Sequence, residues 1–384
     1  KAYRGFVEVQ KEILQTIFPS LTNIELNTQS ERQSTYLMKF FQANVREIQR
    51  TVKEYDIKAD ISMNGWLRIA ESAEEEKGLL AEIEFAKKKL GLEFEHWSPE
   101  KIMKETGIHT KYGGRFIKES GNYNPFKYVI EVLKAAIQKG VKLYTSTKVE
   151  SVQKLQDGTY LVKTNKGDII TKKILAASNV TTRSIFKNME FIEPRVSHVL
   201  STEHTVNQWK GITVTRQQGD WYGHFPKQSH YIGEDGVARA VFHNGGGFDT
   251  PVDYSVVENP PADLHPFSKD IYNEIKANAA VSVPDTKGRP GSRFWWGFMA
   301  FTKDRMPIVS FLFENGKLDK NIVVVMADNG YGGSQAAISG KYGVQMLITG
   351  EIPKELPDDI FSLKRFYTKI PLFKKGSHCR TVHF

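Results

Sequence analysis

A mixed α/β chain of two interleaved units is the fold predicted here, on three observations. The run NIVVVMAD (321–328) has a β-branched centre, Ile322 to Val325, and passes through a glycine-rich turn into a long helical pattern, as a buried parallel strand does. Between 124 and 178 a helical segment precedes several short strand patterns, with Asp157-Gly158 and Lys166-Gly167 as turns. From 195 to 248 the pattern is strand-rich and aromatic, followed by one helical stretch and the aromatic strand GSRFWWGFMAFT. At 384 residues, two interlocked domains are a natural expectation.

The elements follow in order. Residues 7–18 and 31–55 have helical spacing, with Tyr36, Phe40, Val45 and Ile48 near one stripe. NGWLRIA (64–70) reads as a strand. Ser72 opens a helix, since Glu75 stands three residues on as in a capping box, and Gly91 stops it. SPEKIMKETG repeats the logic with Ser98 as cap, Pro99 in the first turn and Gly107 as stop. Asn124-Pro125 opens a helix to Lys139-Gly140 whose apolar face is Tyr128, Val129, Val132, Leu133, Ala136 and Ile137. VKLYTST (141–147) is expected as a strand, then VESVQKL and YLVKTN as a meander, and ILAAS (174–178) as a buried strand. RVSHVLSTEHTV, WYGHFP, HYIG and VARAVFH supply further strands, 262–279 a helix, and GSRFWWGFMAFT an aromatic strand.

Composition narrows the class. Hydrophobic residues make up 40% and charged residues 25%, ordinary for a globular protein. No stretch approaches the roughly 20 apolar residues of a membrane span, and the first residues lack an apolar signal core. The single cysteine, Cys379, excludes an internal disulfide framework and a cysteine metal cluster, and reads as a tail thiol. The net charge of +9 comes from lysines scattered among glutamates, which fits a solvated surface better than a nucleic-acid footprint. The cluster KIPLFKKGSHCR is the exception. No HExxH, GxSxG, GxxxxGK[ST] or GxGxxG motif occurs, and no metal is expected.

Two stretches could carry chemistry. In the strand–turn–helix at 323–347, Gly330, Gly332 and Gly333 let the backbone approach a ligand, and the N–H groups of the following helix favour negative charge. The same turn could serve only to pack helix on strand. FWWGFMAFTKDRMPIVS joins an aromatic strand to Asp304 and Pro307, a pattern that core packing and a turn would also produce.

Taken in order, the N-P step with its helix, GVKLYTSTKVESV, TNKGDIITKKILAAS, WGFMAFTKDRMPIVS and ADNGYGGSQAAISG resemble the D-amino-acid-oxidase-like family of FAD-dependent oxidoreductases over about 64–348. Its members include glycine and sarcosine oxidases and γ-glutamylputrescine oxidoreductases. The resemblance implies a Rossmann-like FAD-binding domain (1–55, 125–190 and 303–384) interleaved with an antiparallel-sheet substrate domain (56–124 and 191–302). It implies FAD as cofactor, with Val149 near the adenine, Ala176 and Ala177 beside the pyrophosphate, and Asp304 and Pro307 beside the flavin. Gly330, Tyr331, Gly332, Gly333 and Ser334 would face the pyrimidine edge, where a helix N-terminus stabilises the charge of a reduced ring. Candidates for the substrate pocket are Tyr222, His224, His243, Arg293, Trp295 and Trp296: aromatic walls for an amine, an arginine for a carboxylate.

Two departures stand out. The family opens with strand–GxGxxG–helix–strand, at least about 30 residues that hold the pyrophosphate, and this sequence has no counterpart. A truncated product is expected rather than a true loss, because a central parallel sheet without its middle strand leaves edges open. The sarcosine-oxidase branch also carries a carboxylate-binding lysine where Ser334 stands here. The expected activity is oxidation of a C–N bond in a small-molecule amine or amino acid, with hydride passing to flavin N5, imine hydrolysis, and reoxidation by oxygen or another acceptor. The alternatives are a flavin-dependent tRNA-modifying enzyme and a non-catalytic subunit that has lost FAD. A cytoplasmic location and a non-cysteinyl flavin are expected.

Overall fold

A computed structural model describes residues 5–186, 189–202, 211–216, 227–232, 238–243, 250–260 and 291–367 apart from 315, with isolated positions from 272 to 288. It is a mixed α/β fold of several sheets. Helix α1 (Phe6–Ile17) and the long α2 (Asn23–Tyr55) come first. The α2 start lies eight residues before its sequence pattern, because Thr22 and Glu25 form a complete capping box. Strand β1 (Trp66–Ile69), α3 (Ala73–Phe85), β2 (Glu95–Trp97), α4 (Pro99–Thr106) and β3 (Gly114–Ile117) follow. Ser72 and Ser98 cap their helices as expected; α3 continues into a π-helical turn, Ala86–Leu90, that left-handed Gly91 ends, and left-handed Gly107 ends α4.

Helix α5 (Pro125–Gln138) begins on Asn124, whose side chain accepts from the Lys127 N–H. It leads to the meander β4 (Val149–Lys154), β5 (Tyr160–Thr164) and β6 (Ile169–Thr171), then β7 (Ile174–Ala176). Two expectations fail here. The apolar face of α5 buries none of its residues, and 141–147 forms no strand. Both depend on a neighbour that the described residues do not supply. Of ILAAS, only Ala176 is buried.

The remaining strands are β8 (Ile192–Thr202), β9 (Thr213–Arg216), β10 (Lys227–Ile232), β11 (Ala238–His243), β12 (Thr250–Pro251), β13 (Gly291–Thr302), β14 (Ile308–Glu314) and β15 (Lys317–Met326). A nine-stranded sheet runs β12-β8-β11-β10-β9-β1-β3-β2, with β13 also paired to β8. It is antiparallel but for the β1–β9 pair. A second sheet, β14-β15-β7, is antiparallel between β14 and β15 and parallel between β15 and β7. After the short helices α6 (Thr182–Ile185) and α7 (Tyr254–Glu258), helix α8 (Ala336–Thr349) packs on this sheet, where a Cβ on Gly343 would come within 2.8 Å of Leu175 and 3.0 Å of Val325. The expected helix at 262–279 lies mostly outside the described residues. No helix among the described residues is long and apolar enough to cross a membrane.

Candidate functional site

The site is built where β15 runs into α8. Ala327, Asn329 and Gly330 all take positive φ (58°, 53° and 83°), so the chain reverses at once after the buried strand. Left-handed backbone costs an alanine about 1–2 kcal/mol, and such strain persists only where surroundings impose it. Asn329 does so. Its Oδ1 accepts from the Thr302 N–H (2.8 Å) and hydroxyl (3.2 Å), its Nδ2 donates to Ala327 O (2.6 Å), and its N–H reaches Ala300 O (3.3 Å). The end of β13 and the turn are thereby one unit.

Asn44, fully buried on α2, pins the other side of the turn. It donates to Gly333 O (3.0 Å) and accepts from the Ile338 N–H (3.1 Å) in the first turn of α8. Tyr123 adds a second donor to Gly333 O (3.3 Å), and burial pushes its phenol up to about 12, so it stays protonated. With that carbonyl held, the N–H groups of Gly332 and Gly333 have no acceptor among the described residues, and Gly333 is exposed. A Cβ on Gly332 would lie 2.5 Å from the Asp328 carboxylate, which would have to move to admit it. The buried Gln335 Oε1 also has no partner among the described residues. The corner thus presents backbone donors at the start of α8.

Tyr331 projects from this turn against Phe41 (5.5 Å between rings). Loss of water around its phenol raises its pKa, with Arg68, Glu82, Arg115 and Arg305 contributing smaller charge effects. Arg68 and Arg115 oppose each other in the β1–β3 register. Arg68 pairs with Glu75 at 2.8 Å and Arg115 with Glu82, all four side chains no more than 7% exposed. The two glutamates lie seven apart on α3, hence on one helix face. Glu75 was expected to close a capping box on Ser72. Instead its carboxylate takes the Glu71 N–H (2.9 Å) and Arg68, while Ser72 alone caps.

Asp304 is committed elsewhere. Its carboxylate meets Arg365 at 2.8 and 3.2 Å and accepts from the Met306 N–H (3.2 Å), with both charged side chains at most 4% exposed. Gln10 donates to Asp304 O (2.9 Å). Pro307 is buried behind it, Val149 is half-buried at the start of β4, and Ala177 is exposed after β7.

On β13, Trp295 opposes Val199 and Trp296 opposes His198, so alternation sends the two indoles to opposite faces. Trp295 is 44% exposed. Trp296 lies with Phe298 (5.3 Å) on the side where Phe294 stacks on His198 (5.7 Å) and meets the core of Leu67, Phe116 and Leu200. One pocket wall can hold one of these tryptophans. Arg293 pairs with Ser201 and His243 with Val199 in backbone register, while their side chains, Tyr222 and His224 lie outside the described residues. Sequence reasoning missed Asn44, Tyr123, Arg68, Arg115 and Arg365, none of which belongs to a local motif.

The family model described as FAD dependent oxidoreductase, DAO, matches residues 19–346. A Haemophilus influenzae protein named a probable oxidoreductase, OrdL, is 26% identical over 163 residues, which are 41% of this chain and 37% of that protein. Among solved structures, glycine oxidase from Geobacillus kaustophilus aligns with TM-score 0.69 and 16% identity over 86% of this chain and 82% of its own. L-proline dehydrogenase from P. horikoshii aligns with TM-score 0.68 and 21% identity over 93% and 94%. At these identities the structures speak for the fold.

Proposed function

The chain belongs to the DAO family of FAD dependent oxidoreductases, and from that premise we propose that it oxidises a C–N bond in an amine or amino acid. The product imine is hydrolysed by water, and the electrons pass on to oxygen. One observation carries this reading: the turn at 330–334 is held by Asn44 and Tyr123, and the N–H donors of Gly332 and Gly333 in it have no acceptor among the described residues. Two solved neighbours support it, one named an oxidase of glycine and the other a dehydrogenase of L-proline.

When bound, FAD supplies the two-electron acceptor for such an oxidation. Gly332 and Gly333 would give it amides at an electron-rich edge, with the positive end of α8 behind them. Tyr331, Ser334, Pro307 and the main chain at Asp304 would flank the ring, and Val149, Ala176 and Ala177 the remainder. Since Glu75 and Glu82 cancel the charges of Arg68 and Arg115, the neighbouring sheet presents a neutral wall. A wall of that kind disfavours an ammonium and favours the free amine that must react. Trp295 offers an aromatic surface on the exposed face.

The residues present fit the ring end of the cofactor. They do not fit its pyrophosphate end, because among the described residues no strand with a glycine turn and helix N-terminus stands on the edge of β7 away from β15. The test is anaerobic mixing of the FAD-loaded protein with a panel of amines and amino acids. Bleaching of the yellow colour by one compound class is expected; a yellow protein that none of them bleaches would refute the reading.

A further inference from the structure

We infer that the outer face of the β4–β5–β6 meander is a docking surface for an anionic lipid bilayer. The charge of the chain is unevenly spread. Between Lys139 and Lys173 stand eight lysines, no arginine and three acids, so this stretch carries five of the nine net positive charges. The other four belong to the tail after Thr368, and the rest of the chain is balanced. Long-range attraction of an anionic partner therefore has two possible sources, and the meander is the folded one.

Strand register separates the two faces of the meander. Val152, Tyr160 and Val162 alternate with Ser151, Gln153, Leu161 and Lys163 along β4 and β5. Tyr160 and Val152 pack with Ile174, Ile322 and Val324, so theirs is the inner face. The outer face carries Ser151 and Gln153 from β4, Leu161 and Lys163 from β5, and Ile170 from β6. Ile170 is 67% exposed. Lys172 continues its phase past the end of β6, Asp168 precedes it in the same phase, and Lys148 stands before β4. Three cations of the stretch are spent on architecture: Lys154 on Asp319, Lys166 on Thr145 O and Lys173 on Leu347 O. Lys148, Lys163 and Lys172 are exposed and form no ion pair among the described residues.

The chemistry of this face selects its occupant. Lysine is a compact, strongly hydrated charge that senses a diffuse negative surface, whereas phosphates gripped one by one call for arginine. Leu161 and Ile170 lie among the cations, an arrangement that suits a headgroup layer with acyl chains beneath it. A single-stranded nucleic acid would instead want aromatic rings to stack on, and the outer face has none. A second copy of this chain would bring like charges together. Lysine in a sheet often serves to blunt an open edge, but Lys163 stands on β5, the central strand. The outer face also looks away from the β14-β15-β7 sheet, so extension of that sheet leaves it uncovered. Each lysine near an anionic surface strengthens binding about fivefold, which makes the attachment reversible.

The experiment is vesicle co-sedimentation of the 384-residue chain with FAD. Phosphatidylcholine vesicles are used with and without about 30% phosphatidylserine. At about 0.1 M salt the chain should prefer the phosphatidylserine vesicles at least about tenfold, and at about 1 M the preference should vanish. The triple variant Lys148→Gln, Lys163→Gln, Lys172→Gln should lose about a hundredfold in affinity for them. Ile170→Ser should lose about fivefold on vesicles and nothing on single-stranded RNA. All four positions are exposed, so both variants should keep the melting temperature and FAD content of the parent. Equal binding to the two vesicle types, or to neither, would overturn the proposal. So would a triple variant that binds like its parent, which would assign the effect to the tail, and so would capture of RNA by a chain that ignores both vesicles.

Discussion

The corner at Asp304, Asn329 and Asn44 and the flank formed by α5 and 141–144 come from local sequence signals of equal quality, yet they end in opposite states. In the corner, polar groups from α1, α2, β13 and the chain near 365 satisfy one another, and Asp304, Asn329 and Asn44 are at most 3% exposed. On the flank, a helix with a proper Asn124 cap and a strong apolar stripe has no fully buried residue, and Phe126, Val129 and Ile137 are exposed. Caps and periodicity determine whether a helix forms. Whether it is buried depends on what lies opposite.

That contrast can be broken most directly at Arg365. Arg365→Ala leaves the Asp304 carboxylate buried without its cation, so a loss of about 3–5 kcal/mol is expected from denaturant unfolding. A loss below about 1 kcal/mol would show that the corner is wetter than its geometry implies. His198 is a related case, buried without a hydrogen-bond partner among the described residues. Burial lowers its pKa from 6.5 to about 4. Because the folded state holds its proton more weakly than the unfolded chain, stability should fall as pH drops from about 6.5 toward 4. The limit is about 3 kcal/mol. His198→Phe should flatten that slope in melting curves taken at a series of pH values.

Asn44→Ala removes both bonds that pin the turn and the start of α8 to α2. A cost of about 1–3 kcal/mol is expected, together with weaker FAD retention, which Asn44→Asp should rescue in part through the Ile338 N–H alone. The smallest effect belongs to the flank. Phe126→Ala, at a residue 75% exposed, should change stability by no more than about 0.5 kcal/mol. A large loss there would mean that the face is already covered in solution, and the comparison would then collapse.

Much of the architecture was legible. Ser72, Ser98 and Asn124 cap the helices they were expected to cap, and Gly91 and Gly107 end theirs, because capping involves neighbours within four residues. The β-branched run at 321–328 became β15, and the turn after it has the left-handed backbone that its glycines and Asn329 permit. The same sequence misled where a partner was needed. VKLYTST has every strand preference but no ladder, and Trp295 and Trp296, adjacent in sequence, are divided between two faces by the strand's period of two.

By itself the sequence determined most of the order of elements, several helix caps and stops, and the strand–glycine turn–helix at 323–347. Only the tertiary structure decided which charges are spent on architecture. Asp304 meets an arginine 61 residues away, Glu75 abandons its capping box for Arg68, and Asn44 reaches across 289 residues to hold Gly333. The reason is physical. Local signals act through a few bonds of one backbone segment, whereas ion pairs and buried amides are chosen by whatever the finished packing brings within about 3 Å.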